Sequence, residues 1–373
     1  MSGNFRLARP RARGIGIPFD GSPGTLNAIT DVAGIEVGHV TIISPDTGLH
    51  AARTGVTAVF PRGAEHTDPV FAAVAALNGS GEMTGSLFVN EGGLLEGPIG
   101  LTNSFGIGAV REAISVAMAR KITGEKLCSL PLVAETFDGY LNDIFGAHIT
   151  VDDATRALDT ASSGPVEEGN VGGGTGVILF GYKGGIGTAS RNVSGEDGAY
   201  TVGVLVQGNF GRRAHLRIGG LPAARYSPTN LDPQLDRDQG SIIVVAATDA
   251  PLLPHQLVRV AKRTALGLAR TGSIMADTSG DIAVAFSTAN PGLVGVTVSS
   301  EKQIANASVT RVEMLPNARL NPVFEATIEA TEEAIMNALV AAQPMVGRSG
   351  HFVDAIDHEA IRGFLAQHRI VGC

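Results

Sequence analysis

The chain has 373 residues, 44% hydrophobic and 17% charged, with a formal net charge of −8 at pH 7. That length buries a sizeable core in one large or two ordinary domains, and the acidic balance argues against nucleic acid as the main partner. The 49 glycines and absence of tryptophan imply many tight turns and close backbone approaches, as in a sheet-rich α/β protein rather than a helical bundle.

In chain order, the N-terminus carries Arg6, Arg9, Arg11 and Arg13 with no apolar stretch behind them. It therefore reads as a solvated arm and not as a secretory signal. With no evident intrachain role, the arm is a candidate to bridge subunits. Strand-like runs follow at 35–43, 55–60, 70–77, 176–181, 202–206, 242–248 and 282–288. Residues 107–119 place Ile107, Val110, Ile114 and Met118 at near-helical spacing. The run Gly172-Gly173-Gly174-Thr175-Gly176 invites a phosphate-loop reading, but a strand-like run follows it and no Gly-Lys-Ser/Thr is present. It reads instead as backbone passing close to the active site. A helix over 255–270 starts behind Pro251 and Pro254, with Leu257, Val260, Ala261 and Leu268 on one face and Arg259, Lys262, Arg263 and Arg270 mostly elsewhere. Two more amphipathic helices are expected at 322–342 and 357–368.

Clusters of strands with a few helices predict two sheets with helices outside, a four-layer α/β/β/α sandwich formed as a single domain over 1–373. No run reaches the ~18 apolar residues of a membrane span, so no membrane partner is expected and the location is read as cytoplasmic. Cys128 and Cys373 form no CxxC pattern, and the nine histidines show no metal spacing, so neither metal nor cofactor is expected. His351, His358 and His368 read as surface positions on or near the last helix.

The chemistry centres on one junction. Residues 230–240, NLDPQLDRDQG, are charged, proline-containing and loop-like, whereas 241–248, SIIVVAAT, read as a buried strand. A nucleophilic residue that opens a core strand after a glycine is where self-cleaving hydrolases create a new N-terminus. Cleavage of Gly240-Ser241 leaves Ser241 with both a hydroxyl and a free α-amine. That amine, with an unperturbed pKa near ~8, suits a general base around neutral pH. Nucleophile and base then belong to one residue, a variant of the hydroxyl-plus-base arrangement. The plain alternative is a turn glycine followed by a strand-initiating serine.

Other polar motifs collect at strand ends, where active sites of sheet proteins gather. They are 77–85, LNGSGEMTG; 131–139, PLVAETFDG; 206–211, VQGNFG; and 278–281, TSGD. Taken jointly with Gly-Ser-Ile-Ile and an opening Asn27-Ala28-Ile29-Thr30-Asp31-Val32, these segments resemble the P1 (DmpA-like) family of aminopeptidases, the L-aminopeptidase/D-amidase-esterase and β-aminopeptidase group. The resemblance spans nearly the whole chain. It implies a fold like that of N-terminal-nucleophile hydrolases with a different strand connectivity, shared with ornithine acetyltransferase. It also implies self-processing into 1–240 and 241–373, and a homo-oligomer of such pairs, a tetramer.

Residue by residue, the resemblance makes Ser241 the nucleophile and Gly240 the residue before the cleaved bond. Asn209 matches an oxyanion-hole donor; alone, it reads as a turn residue. Glu135 matches the acid that binds the substrate's free amine, and alone reads as a surface carboxylate. Ser279 and Asp281 match a serine–acid pair that orients the nucleophile and tunes its proton transfers; alone, they belong to a common turn. Two positions depart from the pattern. Phe137 stands where relatives carry tyrosine in the substrate site, so any polar role there passes to backbone, water or another residue. Asp281 stands where β-peptide-cleaving members have glutamate. Losing one methylene moves the carboxylate by ~1.5 Å, which weakens the carry-over of a β-peptide preference.

The implied activity is hydrolysis of short peptides, amides or esters with a small free N-terminal residue, L-, D- or β-configured. An acyltransferase of the ornithine-acetyltransferase type is the alternative, although its N-terminal residue is normally threonine. A catalytically silent binding protein on the same scaffold is the third reading.

Overall fold

Runs of β-branched and small apolar residues pack well on pleated surfaces, and they build most of the strands. The computed structural model describes residues 10–121, 130–195, 198–223, 232, 235, 240–295 and 309–368. In chain order the strands are β1 (Glu36–Ile43), β2 (Arg53–Phe60), β3 (Val70–Gly79), β4 (Leu94–Leu95), β5 (Ile99–Asn103) and β6 (Leu132–Thr136). They continue with β7 (Gly185–Gly195), β8 (Gly198–Asn209), β9 (Gly240–Thr248) and β10 (Ser279–Ser287). The helices are α1 (Ser86–Gly92), α2 (Ile107–Lys121), α3 (Val151–Asp159), α4 (Pro254–Thr271), α5 (Asn321–Val340) and α6 (His358–Gln367).

One sheet has the order β1-β2-β5-β6 and the other β4-β3-β10-β9-β8-β7. The pairs β5/β6 and β9/β10 are parallel. Strand alternation sorts the side chains into layers. Along β9, Ile243, Val245 and Ala247 pack into the space between the sheets with Val59, Leu101 and Ala134 of the facing sheet. Their neighbours Ile242, Val244 and Ala246 pack against Leu257 and Val260 of α4 and Ala330 and Ala334 of α5. The outer face of the first sheet, through Val56, Ala58 and Val133, is covered by α2 and α3. The layers run α/β/β/α, as the pattern predicts. Because β9 is buried on both faces, its sequence is a continuous apolar run and not an alternating one.

Three expectations are corrected. Residues 176–181 do not form a sheet strand; Ile178–Leu179 and Tyr182–Lys183 make only a two-residue ribbon, which turns the chain around the site. The N-terminal arm does have an intrachain role. Arg13 forms a double hydrogen-bonded pair with Glu333 (2.8 Å each), and Arg11 pairs with Glu168 at 2.8 Å. The segment from Arg11 to Arg13 is thus held on the body by buried carboxylates, which would otherwise be costly to desolvate. Third, His351 is no plain surface residue, as described below. Arg6, Arg9, Cys128, Cys373 and most of 230–239 lie outside the described residues.

Candidate active site

The junction at Gly240-Ser241 opens β9, at the end of the sandwich where β8 finishes. Antiparallel pairing sets Asn209, the last residue of β8, opposite Ser241. Parallel pairing sets Ser279 opposite Gly240 and Gly280 opposite Ser241. The Gly240-Ser241 peptide is therefore flanked by the oxyanion candidate on one side and by the Ser279–Asp281 segment on the other. Gly240 has φ +145°, a region L side chains rarely adopt, and a Cβ there would collide with the Asn209 carbonyl oxygen. Only glycine fits this close approach.

Ser241 is 3% exposed, and its Oγ has no hydrogen-bond partner among the described residues. It lines a cavity of about 710 Å3 together with Asn209, Glu135, Phe137 and Gly240. The Asn209 side chain is oriented by its neighbour: Ile178 N–H donates to Oδ1 at 2.8 Å, which leaves the Nδ2 group as a donor available to the cavity. Behind that loop sits Lys183, fully buried, whose Nζ donates to the carbonyls of Val177 (2.8 Å) and Gly184 (2.7 Å). Lys183 fixes the strand-like turn that carries Ile178.

Ser279 Oγ donates to Asp281 Oδ1 at 2.7 Å, and both side chains are buried at the start of β10. The sequence motif read as a turn is thus the first residues of a core strand. Ser279 and Asp281 are not among the cavity-lining residues; they back the Gly240-Ser241 peptide from the neighbouring strand.

Glu135 lies near the end of β6, 8% exposed. Its Oε2 accepts the Ser104 hydroxyl and its Oε1 accepts Glu82 N–H at 3.2 Å. Burial pushes its pKa up, against the lowering effect of these two hydrogen bonds, and the nearby Glu82 charge adds to the rise. A buried carboxylate held in this state favours an added cation. Phe137 is 52% exposed and forms part of the cavity rim.

Of the other cavity residues, Ser104, Tyr140 and Arg348 carry no signal in sequence patterns, Asp138 lies in the 131–139 motif without an assigned role, and His351 reads from sequence as a surface position. Asp138 is buried and its carboxyl is raised to about 6 by desolvation, although the Asn103 and Asn142 amides donate to it. Asn103 in turn accepts the Phe105 and Gly106 N–H groups through Oδ1. This fixes the turn that presents Ser104 to Glu135. The His351 ring stacks on Tyr140 (centroids 4.4 Å, 17°), and the Tyr140 hydroxyl donates to Asp232 at 2.8 Å. Burial and the Asp232 charge raise the Tyr140 pKa. Among the described residues no group of three His, Cys, Asp or Glu side chains could hold a metal ion, and no helix is long and apolar enough to cross a membrane.

The family model for peptidase family S58 matches residues 27–353. The chain belongs to peptidase family S58. Within reach of this S58 chain is the beta-peptidyl aminopeptidase BapA of Sphingosinicella microcystinivorans, 48% identical over 99% of this chain and 95% of the relative. BapA of Sphingosinicella xenopeptidilytica is 45% identical over 95% and 90%. Among solved structures, the L-aminopeptidase D-Ala-esterase/amidase of Ochrobactrum anthropi superposes with a TM-score of 0.90 at 43% identity, covering 98% of this chain and all of that one. That structure is described as a prototype for the serine aminopeptidases and a variant of the Ntn hydrolase fold. A Burkholderia beta-aminopeptidase gives a TM-score of 0.89 at 44% identity over 96% of this chain and 98% of that one. The fold of the S58 chain is this Ntn-hydrolase variant, and the chain is a serine aminopeptidase.

Proposed function

We propose that this aminopeptidase matures by cutting its own Gly240-Ser241 bond and then removes small N-terminal residues from short peptides, amides or esters, L-, D- or β-configured. The observation that carries the reading is the shared cavity, lined by a Ser241 Oγ without a partner among the described residues, the oriented Asn209 amide and the buried Glu135 carboxylate.

In the precursor, Ser241 Oγ adds to the Gly240 carbonyl carbon and the C–N bond breaks, moving the acyl group from nitrogen to oxygen. Water then hydrolyses the ester. The products are chains 1–240, ending in a carboxylate, and 241–373, beginning with the Ser241 amine. At a φ of +145°, with no room for a Cβ against the Asn209 carbonyl oxygen, the residue before the bond to be cut has to be glycine. In the mature enzyme Ser241 Oγ attacks the substrate carbonyl while its own α-amine takes the proton. Asn209 Nδ2 and backbone N–H groups hold the oxyanion. The amine returns the proton to the leaving nitrogen, and water clears the acyl-enzyme by the reverse sequence. Ser279, paired with Asp281 opposite Gly240, sits where it orients the new ammonium. Glu135 takes the substrate's free ammonium.

We read the mature protein as a cytoplasmic homo-oligomer of such heterodimers; the exposed, mutually packed Phe105 and Phe145 rings support a subunit contact. To test the activity, the purified enzyme is given a short peptide with a small free N-terminal residue and its N-acetylated counterpart. Release of the free residue from the first alone is expected. Equal attack on the acetylated peptide, or transfer of the acyl group to an amine instead of water, contradicts the reading.

A further inference from the structure

We infer that Arg348 recognises the C-terminal carboxylate of the leaving residue, so that the site selects short free peptides over their amides; the inference rests on the aminopeptidase reading above. Arg348 lines the same cavity as Ser241, Asn209 and Glu135. Its backbone is tightly determined. Arg348 N–H donates to the Leu141 carbonyl at 2.7 Å, Gly347 N–H to His351 at 2.8 Å, and Ser349 N–H to Gly48 at 3.0 Å. Ser349 is held at φ +56°, a left-handed conformation that costs a non-glycine residue energy. His351 closes the turn by pairing its Nδ1 with the Tyr140 carbonyl at 2.9 Å. A rigid, strained turn thus offers one cationic side chain to the cavity.

Other sequestered arginines are satisfied within the chain, Arg53 by the carbonyls of Ser44, Ala52 and Val346 and Arg213 by the Gly181 carbonyl and the Tyr182 ring, whereas the Arg348 guanidinium has no such partner among the described residues. Arg13 and Arg191 both meet Glu333, and Arg11 meets Glu168. Arg348 makes no ion pair among the described residues, and its Nε is buried without a hydrogen-bond partner. A half-buried cation kept without a counter-ion is expensive, and the expense is relieved by an anionic ligand. The planar guanidinium fork matches a carboxylate in geometry. Glu135 supplies the opposite charge in the same cavity, so a zwitterionic peptide meets a complementary charge at each end. A cavity of about 710 Å3 falls in the ordinary range for small-ligand sites. In a dipeptide the carboxylate lies one α-carbon beyond the scissile nitrogen, so the same contact also sets substrate length.

The test compares one small-residue dipeptide as free acid and as C-terminal amide, measured on the same enzyme preparation so that the ratio is independent of the active fraction. The wild type is expected to favour the acid in kcat/KM by roughly 10- to 100-fold, mainly through KM, as charge-assisted contacts of this kind do. R348Q is expected to bring the acid-to-amide ratio near one. R348K, which keeps the charge and loses the fork, should fall between and also serves if R348Q is poorly folded. A wild type indifferent between acid and amide, or an R348Q enzyme weakened equally on both, overturns the assignment. A wild type that cleaves neither compound overturns the aminopeptidase reading beneath it, which is a distinct failure.

Discussion

Glu135→Gln separates charge from shape at the proposed ammonium site. In the wild type, Oε1 accepts Glu82 N–H and Oε2 accepts the Ser104 hydroxyl. Glutamine keeps the first contact through its oxygen, and its amide can donate to Ser104 Oγ, so the local fold survives. What is lost is the negative charge that a substrate ammonium meets. Charge-assisted hydrogen bonds contribute about 1.5–3 kcal/mol. The burial of Glu135 places the effect inside that range, where solvent screening is weak. At about 1.4 kcal/mol per tenfold, kcat/KM for free-amine substrates should fall roughly 10- to 200-fold. The assay uses a small amino-acid p-nitroanilide and an amine-free activated ester. The ester should be affected far less, since it never used the contact. Processing at Gly240-Ser241 should also persist, because that bond is internal and carries no ammonium. An equal loss on both substrates would refute the reasoning and leave Glu135 with a structural role.

Three further outcomes follow from the same geometry. Gly240→Ala forces a side chain into the Asn209 carbonyl at a φ of +145°, at a cost of about 1–3 kcal/mol; a denaturing-gel time course should show uncut precursor accumulating, and cutting at the wild-type rate would contradict this. Asn209→Ala removes the proposed oxyanion donor and should lower kcat by about 10²- to 10³-fold with little change in KM, whereas a change confined to KM would contradict the role. Burial raises the Asp138 carboxyl to about 6 and the Glu168 carboxyl to about 7, so the folded state holds these protons more tightly than the unfolded chain. Their stabilisation by protonation is present at low pH and is lost as pH rises through these values. His39, its pKa lowered by burial to about 4, contributes the opposite slope, so the Asp138 part is read by difference. Denaturant unfolding should show Asp138→Asn losing less stability than the wild type between about pH 5.5 and 7.5, and an identical pH dependence in both would contradict this.

The sandwich was legible where burial on both faces leaves an uninterrupted apolar run, as in β9 and β10. It was less legible where packing demands small residues. β7 reads GIGTASRNVSG, with no apolar run, because it lies beneath α5. A Cβ at Gly187 would collide with the Ala334 carbonyl, so the strand is specified by close approach and not by hydrophobicity. α3 carries a local signal, Thr150 capping Asp153 N–H, but it is only nine residues long and two of its first four are aspartates. At the site, the motif residues around Ser241, Asn209 and Glu135 do converge on one cavity. Arg348 and His351 lie more than a hundred residues beyond Ser241, and the hydrogen bonds of their turn to Leu141, Gly48 and the Tyr140 carbonyl bring them there. Phe137 is the converse case: its position beside the cavity was legible, but it brings no hydroxyl, and Tyr140, three residues on, lines the cavity with its own hydroxyl donating to Asp232.

The central claim is that Ser241 cuts its own amide bond and becomes the N-terminal nucleophile. Intact mass spectrometry of the purified protein under denaturing conditions tests it directly, with Ser241→Ala measured beside the wild type and no protease added. The expected result is two species, 1–240 and 241–373, from the wild type and one 373-residue chain from the variant. A wild type that remains a single chain, or a Ser241→Ala variant that splits at the same bond, contradicts the claim.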